Sequence, residues 1–157
     1  MPFDPPSQDN DYLAPHIALL RRSLKHWTGQ NLLDDNCSDA EAAEFLWNAP
    51  LVLLSHSTAD DPILTYGNRA ALDLFELSWD DLVSMPSHLT AEALNRDERA
   101  HLLQRVAAHG YIDDYSGVRV SSTGKRFRIE RAMVWNLIDE DGAYLGQAAM
   151  FDQWTPL

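Results

Sequence analysis

The sequence predicts an α+β domain: an antiparallel sheet covered by helices, preceded by an N-terminal helical extension. Three observations carry that prediction. An apolar stripe with helical spacing opens the chain, two short apolar runs flank a loop in the middle, and the last third alternates in the manner of strands. At 157 residues, with 45% hydrophobic and 10% aromatic content, the chain is long enough for one domain with a core and an appended arm. The expected division places the lead and amphipathic helix in residues 1–37 and the layered domain in residues 38–157.

The elements follow in order. Residues 1–11 hold three prolines and three aspartates and read as a disordered or extended lead. Leu13, Ile17, Leu20, Leu24 and Trp27 recur at steps of four and three, which is one helical face, stopped near Gly29. Arg21, Arg22 and Lys25 occupy the other face. Ser38-Asp39-Ala40-Glu41 fits a capping box, so a second helix runs through Phe45, Leu46 and Trp47 and ends before Pro50. Leu51 to Leu54 is a short central strand, and His56 to Asp61 loops back to a second at Ile63 to Tyr66. Gly67-Asn68 pivots into a short helix, with Asn68 as its N-cap, and Ser78 caps the next. Asn95 to Glu98 caps a longer helix whose buried face is Leu102, Leu103 and Val106, closed by Gly110.

The rest reads as three long strands: Tyr115 to Ser121, Lys125 to Leu137, and Ala143 to Phe151. Ser122-Thr123-Gly124 joins the first two as a hairpin loop. In the middle strand Phe127, Ile129, Met133, Trp135 and Leu137 share one parity, and Arg131 breaks it. An arginine there marks a bulge or a buried charge with a partner.

Composition excludes several functions. A net charge of −12 opposes nucleic acid and anionic membranes as partners. One cysteine, Cys37, excludes an internal disulfide and a four-thiolate metal site. No apolar run approaches the ~20 residues that span a bilayer. Met1-Pro2-Phe3-Asp4 lacks a signal-peptide pattern, so the cytoplasm is the expected location.

Asn48-Ala49-Pro50, Leu54-Ser55-His56, the run from Asp61 to Leu72, Tyr115 to Gly124, Arg126 to Glu130 and His26 to Gly29 together resemble the MEKHLA family, a PAS-related module. The resemblance covers residues 16–154 and implies a PAS-like fold, a five-stranded antiparallel sheet cupped by helices, with a sensory or ligand-binding role. Flavin photosensors of the PAS superfamily use a reactive cysteine beside the pocket. Cys37 lies ahead of the domain, so the light-driven adduct is not expected. No cofactor is identified by the sequence; a haem would need an axial histidine, for which His88 and His101 are the candidates.

Catalysis is not expected. His56, Ser57 and Asp60 crowd into one loop, whereas triad members normally arrive from separate elements. The six histidines show no metal-ligand spacing. Arg119, Arg126, Arg128 and Arg131 gather on one hairpin; cross-strand pairing with carboxylates, an anion site and a nucleic-acid patch are the alternatives.

The expected function is therefore ligand sensing, signalled through a second copy of the chain or another protein. A dimerisation scaffold with a filled core is the alternative. The expected pocket is walled by Tyr66, Leu72, Phe75, Phe127, Ile129, Arg131 and Trp135, suits a flat heterocycle or aromatic metabolite, and has Gln147 as its main hydrogen-bonding group. Parity in the last strand equally allows Gln147 on the outer sheet face.

Overall fold

The computed structural model describes residues 3–33, 36–58, 62–90 and 96–157. Helix α1 (Ala14–Thr28) buries Ile17, Leu20 and Leu24 of the expected stripe and stops at Gly29, whose φ of 71° is the left-handed cap that glycine adopts freely. Helix α2 (Asp39–Asn48) starts on Ser38, whose hydroxyl accepts the Glu41 N–H at 3.1 Å. Strands β1 (Val52–His56) and β2 (Leu64–Gly67) follow, then α3 (Arg69–Phe75) and α4 (Trp79–Leu82). Asn68 and Ser78 cap α3 and α4, as expected from their spacing. Helix α5 (Arg96–His109) buries Leu102 and Val106; the expected cap at Asn95 and the Leu103 side chain lie outside the described residues.

Strands β3 (Tyr111–Val120), β4 (Arg126–Ile138), β5 (Tyr144–Phe151) and β6 (Gln153–Pro156) complete an antiparallel sheet in the order β2-β1-β5-β4-β3. The short β6 was not visible in the sequence. It pairs with Phe127 to Glu130, continuing the edge of β4 that β5 occupies further along. The lead also differs from expectation. Gln8–Leu13 forms a 3-10 turn, and Trp79 donates its indole N–H to the Phe3 carbonyl at 2.9 Å.

The register shifts between Ser55 and His56, Ile112 and Tyr115, Tyr115 and Gly117, and Leu137 and Ile138. Two of these shifts set the faces of the expected pocket residues. In β4, Tyr115 pairs with Ala132 and Gly117 with Ile129, so β4 spends three steps against two in β3. Arg131 sits in that bulge at φ 53°. In β2, Leu64 pairs with His56 and Tyr66 with Ser55, so Thr65 is the extra residue. Each bulge swaps the faces of everything beyond it.

The sheet therefore separates two cores. On the inner face α3, α4 and α5 pack over Leu54, Leu64, Ile129, Ala132, Val134 and Phe151. On the outer face α1 and α2 cover Leu53, Tyr66, Trp135, Leu137 and Ala148. Among the described residues no helix is long and apolar enough to cross a membrane.

Candidate functional site

A cavity of about 70 Å³ lies between the inner sheet face and the helices, bounded by Phe75, Leu102 and the Ser87–Thr90 turn. Its floor is Leu54, Ile129, Ala132, Val134, Ala149 and Phe151. These residues come from adjacent strands in one register row or the next: Leu54 pairs with Ala149, and Ala149 with Val134. The walls are mostly apolar; His56, Gln147, Tyr115 and Arg119 reach them from three strands, and Ser87 and Thr90 from the turn that closes one side.

His56, Gln147 and Asn136 stand side by side on β1, β5 and β4. Gly146, at φ 140°, allows this: a Cβ there would lie 2.1 Å from the His56 carbonyl oxygen. Gln147 Nε2 donates to Asn136 Oδ1 at 2.9 Å, and Asn136 Nδ2 donates to the Val106 carbonyl at 3.1 Å. His56 Nε2 lies 3.2 Å from Gln147 Oε1, and its Nδ1 lies 2.9 Å from the Ser57 carbonyl. Both ring nitrogens thus face acceptors, which an imidazolium satisfies and a neutral ring satisfies only on one side. Gln147 is a link in this chain, with its amide already engaged at both ends.

Tyr115, Gly117 and Arg119 all point inward from β3. The Tyr115 ring folds over Gly117, where a Cβ would come within 2.1 Å of the hydroxyl, so only glycine leaves that space open. The Arg119 guanidinium stacks on the Tyr115 ring, 5.2 Å from its centroid.

Of the residues expected in the pocket, Phe75, Ile129 and Gln147 line this cavity. Phe127 lies behind them, edge-on to Phe75 at 5.3 Å. Leu72 is half-buried where the two cores meet. Trp135 and Tyr66 face the other way: the bulges at Arg131 and Thr65 rotate them into the outer core. Arg131 itself is exposed, so its place on the apolar parity marks the bulge and not a buried charge. Tyr115, Arg119, His56 and Ala132 line the cavity but were not expected there. The anion-site reading of the arginine group was the one signal that touched Arg119.

Other expected chemistry is dispersed. Ser57 accepts the Ile63 N–H on its hydroxyl at 3.2 Å, while Asp60 lies outside the described residues. Half-buried Cys37 packs against the outer core, on the face opposite the cavity. Among the described residues no group of three His, Cys, Asp or Glu side chains gathers to hold a metal. Glu76, at the end of α3, ties down the β3–β4 loop. Hydrogen bonds from Thr123, then Ser121 and Lys125, lower its carboxyl to about 2.

The outer face holds one further pair that the sequence did not show. His16 Nε2 lies 2.8 Å from Ser55 Oγ, which also bonds Thr65 Oγ1 at 2.8 Å. Burial lowers the His16 ring from 6.5 to about 4. The unfolded ring takes up its proton near 6.5 and the folded one only near 4, so the unfolded state binds more protons in that window. Stability contributed by the neutral ring is complete above 6.5 and is lost as pH falls toward 4. Urea unfolding at pH 7 and pH 5 should differ by about 2 kcal/mol from this group alone. His16→Gln should flatten that difference; an unchanged pH slope in the variant would show that His16 does not produce it.

Comparison with known proteins places this geometry. A structure of the PAS domain of a protein from Colwellia psychrerythraea superposes with a TM-score of 0.60 at 13% identity, covering 74% of this chain and 93% of that one. An RNA-binding Light-Oxygen-Voltage receptor gives a TM-score of 0.63 at 16% identity, covering 76% of this chain and 33% of that one. At such identities the likeness is one of fold.

In sequence, the chain is similar to the homeobox-leucine zipper protein HOX29 of Oryza sativa subsp. indica, 27% identical over a 151-residue alignment that covers 91% of this chain and 18% of that protein. The homeobox-leucine zipper protein ATHB-14 of Arabidopsis thaliana is 27% identical over a 146-residue alignment that covers 88% of this chain and 17% of that protein. The chain therefore spans less than a fifth of the length of these curated relatives. The family model of the MEKHLA domain matches residues 14–156, which take in both bulges, the cavity and the helices that cover each face. The chain belongs to the MEKHLA domain family and carries that domain on the fold of PAS domains.

Proposed function

We propose that this chain is a sensory module that admits a small, mostly apolar ligand to the inner-face cavity and passes on its occupancy through protein–protein contacts. The observation that carries the reading is the cavity itself: an apolar enclosure with a few polar groups converging on it, on the face that α3 and α5 cover. Phe75, Ile129 and Gln147 are its proposed contacts. At about 70 Å³ it is smaller than the roughly 300–1,000 Å³ of most ligand pockets. The ligand is therefore a few atoms in size, or α3 and α5 part to admit more.

The contact side of the proposal rests on exposed apolar residues. Phe45 on α2 is 55% exposed, and Tyr144 and Leu145 at the start of β5 are 46% and 43% exposed. A second copy of this chain or another protein would cover them.

The small volume also favours a second reading, a scaffold whose core is simply filled. Native mass spectrometry and a melting curve with and without a library of small ligands separate the two. The sensory reading predicts a bound small molecule, or a melting temperature raised by particular compounds. A bare mass together with no response to any compound would leave the scaffold.

A further inference from the structure

We infer that the cavity is a carboxylate site, built for a short acid with an apolar body of a few carbons; this rests on the cavity being a ligand site and specifies what enters it. Two observations on β3 point there independently. Arg119 is 8% exposed, yet among the described residues no carboxylate pairs with it; one N–H goes to the Val118 carbonyl at 2.9 Å, and the rest of the fork is left to the cavity and the Tyr115 face. A buried guanidinium is costly without an anion, and its planar fork matches a carboxylate. The Tyr115 hydroxyl is buried without any hydrogen-bond partner, a donor held in place above Gly117.

Both residues line the same cavity as Ala132, Val134 and Leu102. A volume of about 70 Å³ holds about five water-sized spheres. That is the size of a three- or four-carbon acid. One carboxylate would answer both the guanidinium and the phenol, and its carbons would meet apolar wall. The net charge of −12 disfavours anions at long range, but at physiological salt that field is screened within about 8 Å, leaving Arg119 as the local charge.

The test uses the intact chain, with methyl NMR titrations of sodium butyrate and of butyramide, its neutral isostere, at physiological salt. The expected result is that butyrate moves the Ala132, Val134 and Leu102 methyls and binds at least tenfold tighter than butyramide. Tyr115→Phe should weaken butyrate several-fold while the empty protein melts no lower, because an orphaned hydroxyl has been removed. Arg119→Met should abolish the preference for butyrate over butyramide. The comparison of the two compounds on the unaltered chain stands even if the arginine variant fails to fold. Equal binding of both compounds, or an unchanged butyrate affinity in Tyr115→Phe, overturns the carboxylate assignment and leaves a neutral-ligand cavity. No movement of these methyls with either compound overturns it as well; whether the cavity takes any ligand is then decided by the native-mass experiment.

Discussion

Asn68→Ala is expected to lower stability by about 4 kcal/mol. The side chain is fully buried and works in four directions. Its Oδ1 accepts the Leu53 N–H and the Ala71 N–H, each at 3.1 Å, tying β1 to the first turn of α3. Its Nδ2 donates to the Leu46 carbonyl at 2.9 Å and the Leu51 carbonyl at 2.7 Å, holding the end of α2 to the same point. Loss of a helix cap alone costs about 1 kcal/mol, and each buried group orphaned beside it costs about 1–3 more. Asn68→Asp is the sharper comparison. It keeps the acceptor and sets an oxygen against two carbonyls, so it should also destabilise strongly. Urea midpoints followed by tryptophan fluorescence measure both, and a loss under 1 kcal/mol in Asn68→Ala would refute the role given to this residue.

The second large effect belongs to the outer face. Trp135 is fully buried there and donates its indole N–H to the Leu20 carbonyl at 3.2 Å, so it fastens α1 as well as filling space. Trp135→Ala should cost about 3–5 kcal/mol, a large share of the ~5–15 available to a domain. Removing residues 1–30 should do worse. It strips Ile17, Leu20 and Leu24 from the row of Leu53, Tyr66, Trp135 and Ala148 and leaves that row to water. The expected outcome is aggregation or a changed mass in size exclusion with light scattering. A truncated chain that stays monomeric with an unchanged melting temperature would show that α1 is dispensable.

Much of this architecture was legible because its causes are local. Ser38, Asn68 and Ser78 announce helix starts by offering a side-chain oxygen to free amides, and Gly29 announces a stop by accepting a left-handed backbone. The site was less legible because its causes are not local. Strand parity predicts a shared face only while the ladder is regular. Thr65 and Arg131 each insert one residue, which carries Tyr66 and Trp135 to the outer face and brings Ala132 and Val134 inward. Arg131 could be seen to break the pattern, but Thr65 is an ordinary strand residue and gives no such sign. Tyr115 and Arg119 became candidates only once Gly117 placed them over one another, and Gln147 lost its free amide to Asn136, eleven residues away in sequence and adjacent in the sheet. β6 is only four residues long and begins directly after Asp152, too little pattern to separate it from β5.

On the proposed reading a small molecule occupies the inner-face cavity while the outer face is a structural seam. Methyl-resolved NMR of the intact chain against a library of small apolar and aromatic compounds tests it most directly. At least one saturable ligand should shift Ile129, Ala132, Val134 and Leu102 and leave Leu20, Leu24 and Ala148 where they are. Saturable shifts confined to Leu20, Leu24 and Ala148, with the inner set unmoved by every compound, would contradict it.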